Sequence, residues 1–114
     1  MIIDMRTYTC KPGMLQKQIA LYRDYGKAPQ TRHLGQPLAW MTTETGNVNQ
    51  FVHMWAYESA GDRENKRAAM EADGDWQDYK RRSAELGAML NQENRLMKPC
   101  DFFPFPVKSD EEPS

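Results

Sequence analysis

"NQFVHMWAYES", residues 49–59, alternates two kinds of side chain, and this alternation decides how the chain can fold. The odd positions carry aromatic rings and a histidine: Phe51, His53, Trp55 and Tyr57. The positions between them carry small or flexible apolar groups: Val52, Met54 and Ala56. A period of two is typical of a β-strand whose faces meet different surroundings. We therefore predict a strand with one aromatic and one aliphatic face.

A second strand-like run precedes this one and predicts a β-hairpin. It reads "LAWMTTET" at 38–45, and the turn-forming residues "GNVN" at 46–49 separate the two runs. A loop of even length pairs even positions of the first strand with odd positions of the second. This register groups Trp40, Thr42 and Glu44 with the aromatic face. An odd loop would mix the two sets of side chains, so we prefer the even register.

The rest of the chain predicts two more strands and three helices. The strands are "IIDMRTYT" at 2–9, which ends at "CKPG", and "NQENRLMKP" at 91–99. The first helix covers 14–26, with Tyr22 on its apolar face and Gly26 as its stop, and "KAPQTRHLGQP" at 27–37 follows as a loop. A second helix covers 60–72 after the cap Ser59, and a third starts at the cap Asp75 and turns Trp76 and Tyr79 to one face.

This order, β-α-β-β-α-α-β, predicts an α+β fold of the ferredoxin-like kind, with helices on one side of a four-stranded antiparallel sheet. A chain of 114 residues has the length of a single domain. We assign residues 1–100 to that domain and 101–114 to a C-terminal tail. The acidic end of the tail, "SDEEPS", is expected to be disordered.

The two apolar faces of the predicted sheet also bear on assembly. Helices cover only one face of such a sheet, yet both faces of the hairpin carry side chains that favour burial. A second copy of the chain can cover the remaining face, because an open apolar surface promotes association. The sequence therefore predicts a homodimer.

Composition and motifs exclude several classes of function. The net charge of −1 gives no field that attracts nucleic acid or an anionic membrane, and no run is long and apolar enough for a membrane span. We expect a cytoplasmic protein with neither as a partner. Cys10 and Cys100 lack metal-ligand spacing and are expected to be free thiols. With no phosphate-binding loop and no metal-binding motif, no metal and no cofactor are expected.

Segments distributed along the chain resemble the NIPSNAP family in its compact single-domain form. They are "MRTYTCKPG" at 5–13, "RHLG" at 32–35, "AWMTTETGNVNQFVHMWAYES" at 39–59, "DWQDY" at 75–79 and "NQENRLMKP" at 91–99. The resemblance implies a dimeric α+β barrel, a superfamily that includes cofactor-free monooxygenases, haem-degrading enzymes and stress-responsive proteins. It implies no particular substrate.

The candidate site combines charged and aromatic residues of the predicted strands. Its members are Arg6, Tyr8, Trp40, Glu44, His53 and Trp55, with His33 of the following loop at its mouth. Arginine and glutamate beside aromatic rings indicate either a structural ion pair or a polar anchor for a ligand. An exposed loop histidine beside a glycine is commonplace, so solvent exposure or turn packing explains His33 better than a chemical role.

His53 has two interpretations. A lone histidine on an aromatic face is commonly a hydrogen-bonded core residue, but its ordinary pKa also suits a general base. In a catalytic role, His53 would accept a proton from a phenolic or enolic substrate and Arg6 would stabilise the anion. We therefore expect a homodimer that binds a small aromatic or apolar molecule. The alternatives are an enzyme of the cofactor-free monooxygenase type and a stress-related interaction protein without catalysis.

Overall fold

The computed structural model describes residues 1–104, so the predicted disordered segment "SDEEPS" lies outside the described residues. Strand β1 is Ile2–Cys10, and it is followed by helix α1 (Leu15–Leu21), a π-helical segment (Tyr22–Gly26) and helix α2 (Lys27–Leu34). Strands β2 (Ala39–Thr42) and β3 (Gln50–Tyr57) form the hairpin. Helices α3 (Ala60–Glu71) and α4 (Gly74–Leu86) precede the final strand β4 (Met89–Met97).

The strands form one antiparallel sheet in the order β2-β3-β1-β4. This is the ferredoxin-like α+β arrangement that the element order predicted. The even hairpin register is confirmed, because Trp40 pairs with His53 and Thr42 pairs with Phe51. Arg6 pairs with His53 from the other side. Arg6, His53 and Trp40 therefore lie in one row across three strands.

The first helical region differs from the prediction. Gly26 does not end it, and the predicted loop at 27–37 is wrong, because α2 continues to Leu34 and ends at Gly35, whose φ is 79°. A π-helical turn at Tyr22–Gly26 joins the two helices. Pro29 lies in the first turn of α2, where a missing backbone N–H is tolerated. Gly26, which would ordinarily end a helix, is therefore the last residue of the π-helical turn, and helix α2 starts directly after it.

Two element boundaries are also corrected. The side chain of Asp73, and not that of Asp75, caps α4, because it accepts a hydrogen bond from the backbone N–H of Asp75. The last strand begins at Met89, two residues before the predicted start at 91. The predicted cap of α3 is confirmed, since Ser59 accepts a hydrogen bond from the backbone N–H of Asp62.

The helices cover the aromatic face of the sheet. Trp55 and Tyr57 of β3 pack there with side chains of the helices, among them Tyr22, Met70 and Tyr79. Among residues 1–104 no helix lies over the other face, and Met41 on that face is 50% exposed. Both cysteines are free; Cys10 is buried and Cys100 is exposed. No helix within residues 1–104 has the length and apolar character needed to cross a membrane.

Candidate functional site

A cavity of about 460 Å³ lies between the aromatic face of the sheet and the helices. The sheet contributes Arg6, Tyr8, Trp40, Phe51 and His53 to its lining. These residues share one face because paired strands place alternate side chains on the same side of the sheet. The cavity therefore has an aromatic floor with charged and polar groups set into it.

Aromatic rings of neighbouring strands stack across this floor. The rings of Tyr8 and Phe51 have centroids 4.9 Å apart and planes inclined by 8°. Phe51 and Trp40 repeat this geometry at 4.9 Å and 7°. Tyr8 and Phe51 are directly paired, so their spacing follows from the distance of about 4.8 Å between hydrogen-bonded strands, whereas Trp40 is diagonal to Phe51 and its large ring reaches across. Tyr22 extends the row from the helical side, with its ring centroid 4.8 Å from that of Trp40.

The π-helical segment places Tyr22 in the wall of the cavity. A Cβ atom on Gly26 would lie 2.8 Å from Cδ1 of Tyr22 and 3.0 Å from Cδ1 of Tyr79, which is closer than carbon atoms normally approach. The missing side chain at Gly26 therefore lets the two rings meet, in an edge-to-face contact with centroids 5.8 Å apart. π-Helical turns often occur at functional sites.

The tyrosine hydroxyls of the helical wall are engaged in hydrogen bonds. Tyr22 Oη donates to Gln30 Oε1 at 2.6 Å. Gln18 Nε2 donates to Tyr79 Oη at 2.9 Å. Burial raises the pKa of Tyr79 to about 12, and its hydrogen bond to Gln18 only partly opposes this shift. Tyr79 is therefore a neutral phenol at physiological pH.

Arg6 is held by a buried carboxylate next to the cavity. Its Nη1 donates to Oδ2 of Asp4 at 3.2 Å, and Asp4 is fully buried. The same carboxylate oxygen accepts from Nε of Arg63 at 3.1 Å. Burial alone would lower the pKa of Arg6, but Tyr8 and Asp4 outweigh it and the pKa is raised. Arg6 therefore remains a guanidinium cation although it is only 7% exposed.

His53 is held by a neighbouring indole. Trp55 Nε1 donates to His53 Nδ1 at 2.5 Å. Burial lowers the pKa of His53 to about 3, and the positive charges of Arg6 and Arg67 act in the same direction, against the opposing effect of Asp4. A histidine with this pKa is neutral at physiological pH.

The helices add a second charged group to the cavity wall. Lys80 Nζ lies 2.8 Å from Oε2 of Glu71, and both residues line the cavity together with Arg67. The Glu71 carboxylate also accepts from Nε1 of Trp76 at 3.3 Å. The charge of Glu71 is therefore already balanced by Lys80, while Arg6 and Arg67 both line the cavity as cations.

The structure brings together part of the predicted site. Arg6, Tyr8, Trp40 and His53 line the cavity. Trp55 is fully buried in the core and contacts the site through His53.

Two predicted members lie elsewhere. Glu44 is exposed beyond the end of β2. His33 belongs to α2, where its Nε2 lies 2.8 Å from Oδ2 of Asp73. Neither of them is among the residues that line the cavity.

Several residues of the site were not predicted as members. Asp4 could have been found, because it precedes Arg6 by two positions and so shares its face. Tyr22 and Tyr79 were predicted on apolar helix faces, but nothing in the sequence separates a cavity wall from ordinary core. Arg67, Glu71 and Lys80 gave no signal, because their position depends on how the helices cross the sheet.

The described residues contain no group of three or more His, Cys, Asp or Glu side chains that could hold a metal ion. Of the charged residues that line the cavity, Arg6, Glu71 and Lys80 form ion pairs. Such a cavity can bind an organic molecule by stacking and by hydrogen bonds from a few fixed polar groups.

Comparisons with known proteins place this arrangement in a family. The NIPSNAP family model matches residues 3–104. A NIPSNAP family protein from Agrobacterium tumefaciens is similar in structure, with a TM-score of 0.84 and 32% identity over 92% of this chain and 98% of that one. An uncharacterised NIPSNAP domain protein from Burkholderia xenovorans has a TM-score of 0.84 and 28% identity over 92% of this chain and 100% of that one.

A more distant likeness supports the fold alone. A putative antibiotic biosynthesis monooxygenase from Nitrosomonas europaea has a TM-score of 0.61 at 11% identity, over 86% of this chain and 97% of that one. Comparison with curated proteins gives no match. The family model covers nearly the whole described chain, and the chain belongs to the NIPSNAP family.

Proposed function

We propose that this protein binds a small aromatic or otherwise apolar molecule in the cavity between its sheet and its helices. The observation that carries the proposal is the cavity itself, about 460 Å³ in volume, with stacked rings on its floor and the buried cation Arg6 among them. Concave sites with mainly apolar walls and a few convergent polar groups are the usual form of small-molecule sites.

A purely structural role for Arg6 explains less of what is observed. Arg6 does form a buried ion pair, but its partner is Asp4 and not the predicted Glu44. An ion pair with a purely structural role does not have to line a cavity. Charged side chains are also rarely found next to an empty apolar cavity, because their desolvation is costly. Arg6 both pairs with Asp4 and lines the cavity, which favours a function as a polar anchor.

The catalytic alternative depends on a free base, and the geometry of His53 weakens it. A general base needs a lone pair directed at the substrate. The Nδ1 lone pair of His53 is occupied by the Trp55 N–H. We therefore place ligand binding ahead of a monooxygenase reaction of the cofactor-free type.

The proposed functional unit is a homodimer that buries the open face of the sheet. Burial alternates along β3, and the partly exposed positions include Val52, Met54 and Ala56. Met41 of β2 extends this apolar surface. A second copy of the chain presents the same surface, so an isologous contact can cover both.

A binding screen with one blocked cavity tests the proposal. Ala84 lines the cavity, so Ala84→Trp should fill part of it, whereas Ala69→Trp changes an exposed position of α3 outside the lining. Small aromatic compounds that bind the wild type, detected by ligand-observed NMR, should bind Ala69→Trp equally and Ala84→Trp at least about tenfold more weakly. Ligands that bind all three proteins alike would place the binding elsewhere and overturn the proposal.

A further inference from the structure

We propose that the cavity recognises its ligand through an oxyanion, such as the carboxylate of a small aromatic acid, which accepts hydrogen bonds from Arg6, Tyr8 and His53. This inference rests on the proposed binding function and adds the chemical class of the ligand. Two observations support it: which donor and acceptor atoms of these three residues already form hydrogen bonds, and the net charge of the buried ionic groups beside the cavity.

The hydrogen bond from Trp55 fixes the tautomer of His53. An indole N–H can only donate, so His53 Nδ1 must accept and carries no proton. In a neutral imidazole the proton then lies on Nε2. His53 lines the cavity, and among residues 1–104 its only ring hydrogen bond is the one at Nδ1, so Nε2–H remains available as a donor. His53 therefore offers an occupant a hydrogen bond and has no lone pair left to accept one.

Arg6 and Tyr8 are donors for a similar reason. Arg6 Nε donates to Tyr8 Oη at 3.0 Å, so the hydroxyl oxygen is accepting and its own proton is free to be donated elsewhere. Among the described residues, the hydrogen bonds of Arg6 engage Nε and Nη1, which leaves Nη2 for an occupant of the cavity. The ring of Tyr8 lies on that of His53 with centroids 5.2 Å apart. The three donors are neighbours on one patch.

The charges of the buried cluster also favour an anion. Asp4 brings one negative charge and contacts two guanidinium groups, those of Arg6 and Arg63. Arg63 is 24% exposed and partly solvated, whereas Arg6 and Asp4 are buried. The cluster therefore carries an excess positive charge next to a cavity with aromatic walls. One carboxylate balances the charge of only one of the two guanidinium groups, and a carboxylate in the cavity would balance the other.

Two acceptors of the cavity wall, Gln30 and Glu71, are already engaged. The amide oxygen of Gln30 accepts from Tyr22, and the carboxylate of Glu71 accepts from Trp76 and Lys80. The indole N–H of Trp40 is buried beside the Tyr22 hydroxyl, whose pKa is raised by burial and partly lowered by this N–H, and it forms no hydrogen bond of ordinary geometry among the described residues. A ligand with an acceptor group meets the donors of Arg6, Tyr8 and His53 here, whereas a donor group on the ligand finds Gln30 and Glu71 occupied.

Matched acids and amides test the inference by calorimetry at neutral pH. The probes are benzoate and benzamide, 2-naphthoate and 2-naphthamide, and indole-3-acetate and indole-3-acetamide. Each pair shares its aromatic body and differs in charge and in acceptor capacity. We expect the acids to bind at least about tenfold more tightly than their amides, since hydrogen bonds to a charged group are about twice as strong as neutral ones.

Two variants identify the donors. Tyr8→Phe keeps the ring stack and removes the hydroxyl, and His53→Asn keeps an acceptor for Trp55 and removes the Nε2–H. Both should lower the affinity for the acids severalfold and that for the amides by less, because the neutral amide oxygen accepts the weaker hydrogen bond. Tyr25→Phe is the matched control, because Tyr25 is 41% exposed and stacks with Arg82 away from the cavity.

The outcomes separate this inference from the proposed function. An amide that binds as tightly as its acid overturns the oxyanion site and leaves the small-molecule cavity in place. Equal losses in Tyr8→Phe and Tyr25→Phe also overturn it. If no member of the panel binds, the proposed function itself is contradicted together with the inference.

Discussion

Trp55 donates the N–H of its indole to Nδ1 of His53 over 2.5 Å, two residues along the same strand and inside the core. This bond determines which nitrogen of His53 carries the proton. We expect ¹⁵N NMR of the imidazole near neutral pH to show a protonated Nε2 and an unprotonated Nδ1. Trp55→Phe removes the donor, and the tautomer population should then shift toward a mixture. A protonated Nδ1 in the wild type would contradict the assignment.

The titration of His53 should make stability depend on pH. The ordinary pKa of about 6.5 describes the unfolded chain, and burial, followed by the charges of Arg6 and Arg67, lowers the folded pKa to about 3. Between these values the unfolded state binds a proton that the folded state does not. Stability from this residue is therefore complete above about pH 6.5 and falls by roughly 1.4 kcal/mol per pH unit as the pH decreases through that window.

His53→Asn isolates this effect, because asparagine can accept from Trp55 and does not titrate. Urea denaturation at about pH 7, 6 and 5 should show the wild type losing more stability than the variant. All other ionisable groups are common to both proteins. Parallel losses would mean that His53 does not titrate with a lowered pKa.

Gly26 should be intolerant of a side chain. Alanine there would place Cβ 2.8 Å from the ring of Tyr22 and 3.0 Å from that of Tyr79. We expect Gly26→Ala to cost about 1–2 kcal/mol in the free energy of unfolding, since displacement of the rings outweighs the gain in helix propensity. Gly74→Ala is the control. Its added Cβ meets nothing within 4 Å, so it should be neutral or stabilising by up to about 1 kcal/mol. Equal effects of both changes would contradict the close-packing argument.

Trp55 should be essential to the core. It is fully buried between the sheet and the helices, so Trp55→Ala should cost about 3–5 kcal/mol in chemical denaturation. Val48→Ala, at a position that is 55% exposed in the hairpin loop, should change stability by less than about 0.5 kcal/mol. A loss below about 1 kcal/mol for Trp55→Ala would show that this residue does not carry the packing assigned to it.

The proposed homodimer predicts a sensitive position on the open face. Met54→Lys places a charge in the centre of that face and should shift the protein toward the monomer in sedimentation velocity. Ala69→Lys adds the same charge at an exposed position of α3 and should leave the assembly unchanged. A wild type that sediments as a monomer at micromolar concentration would overturn the homodimer.

The fold was predictable from local patterns where one signal dominated. Alternation at Phe51, His53 and Trp55 established the strand, its aromatic face and the hairpin register. The helix through Gly26 and Pro29 was not predictable, because both residues are ordinary signals for a stop. A side chain at position 26 would collide with the rings of Tyr22 and Tyr79, which come from different helical segments. These rings approach Gly26 only in the folded chain, so the sequence does not show why glycine is needed.

The candidate site was predictable on the strands, apart from Glu44, and not on the helices. A period of two brings Arg6 and Tyr8 onto the face of His53 once the register is known. Lys80 and Glu71 line the cavity because of the angle at which their helices cross the sheet, and no local sequence pattern predicts that angle. The role of Trp55 was also not predictable. The sequence places Trp55 and His53 on one face of the strand, but it does not show that the Trp55 indole donates a hydrogen bond to the His53 imidazole.

The most direct test is a crystal structure of the protein with the tightest-binding aromatic acid of the panel. We predict that the ring lies against the stacked side chains of Tyr8, Phe51 and Trp40. The carboxylate should lie within hydrogen-bonding distance of Arg6 Nη2, Tyr8 Oη and His53 Nε2. A ligand outside the cavity, or a carboxylate directed away from these three donors, would contradict the account.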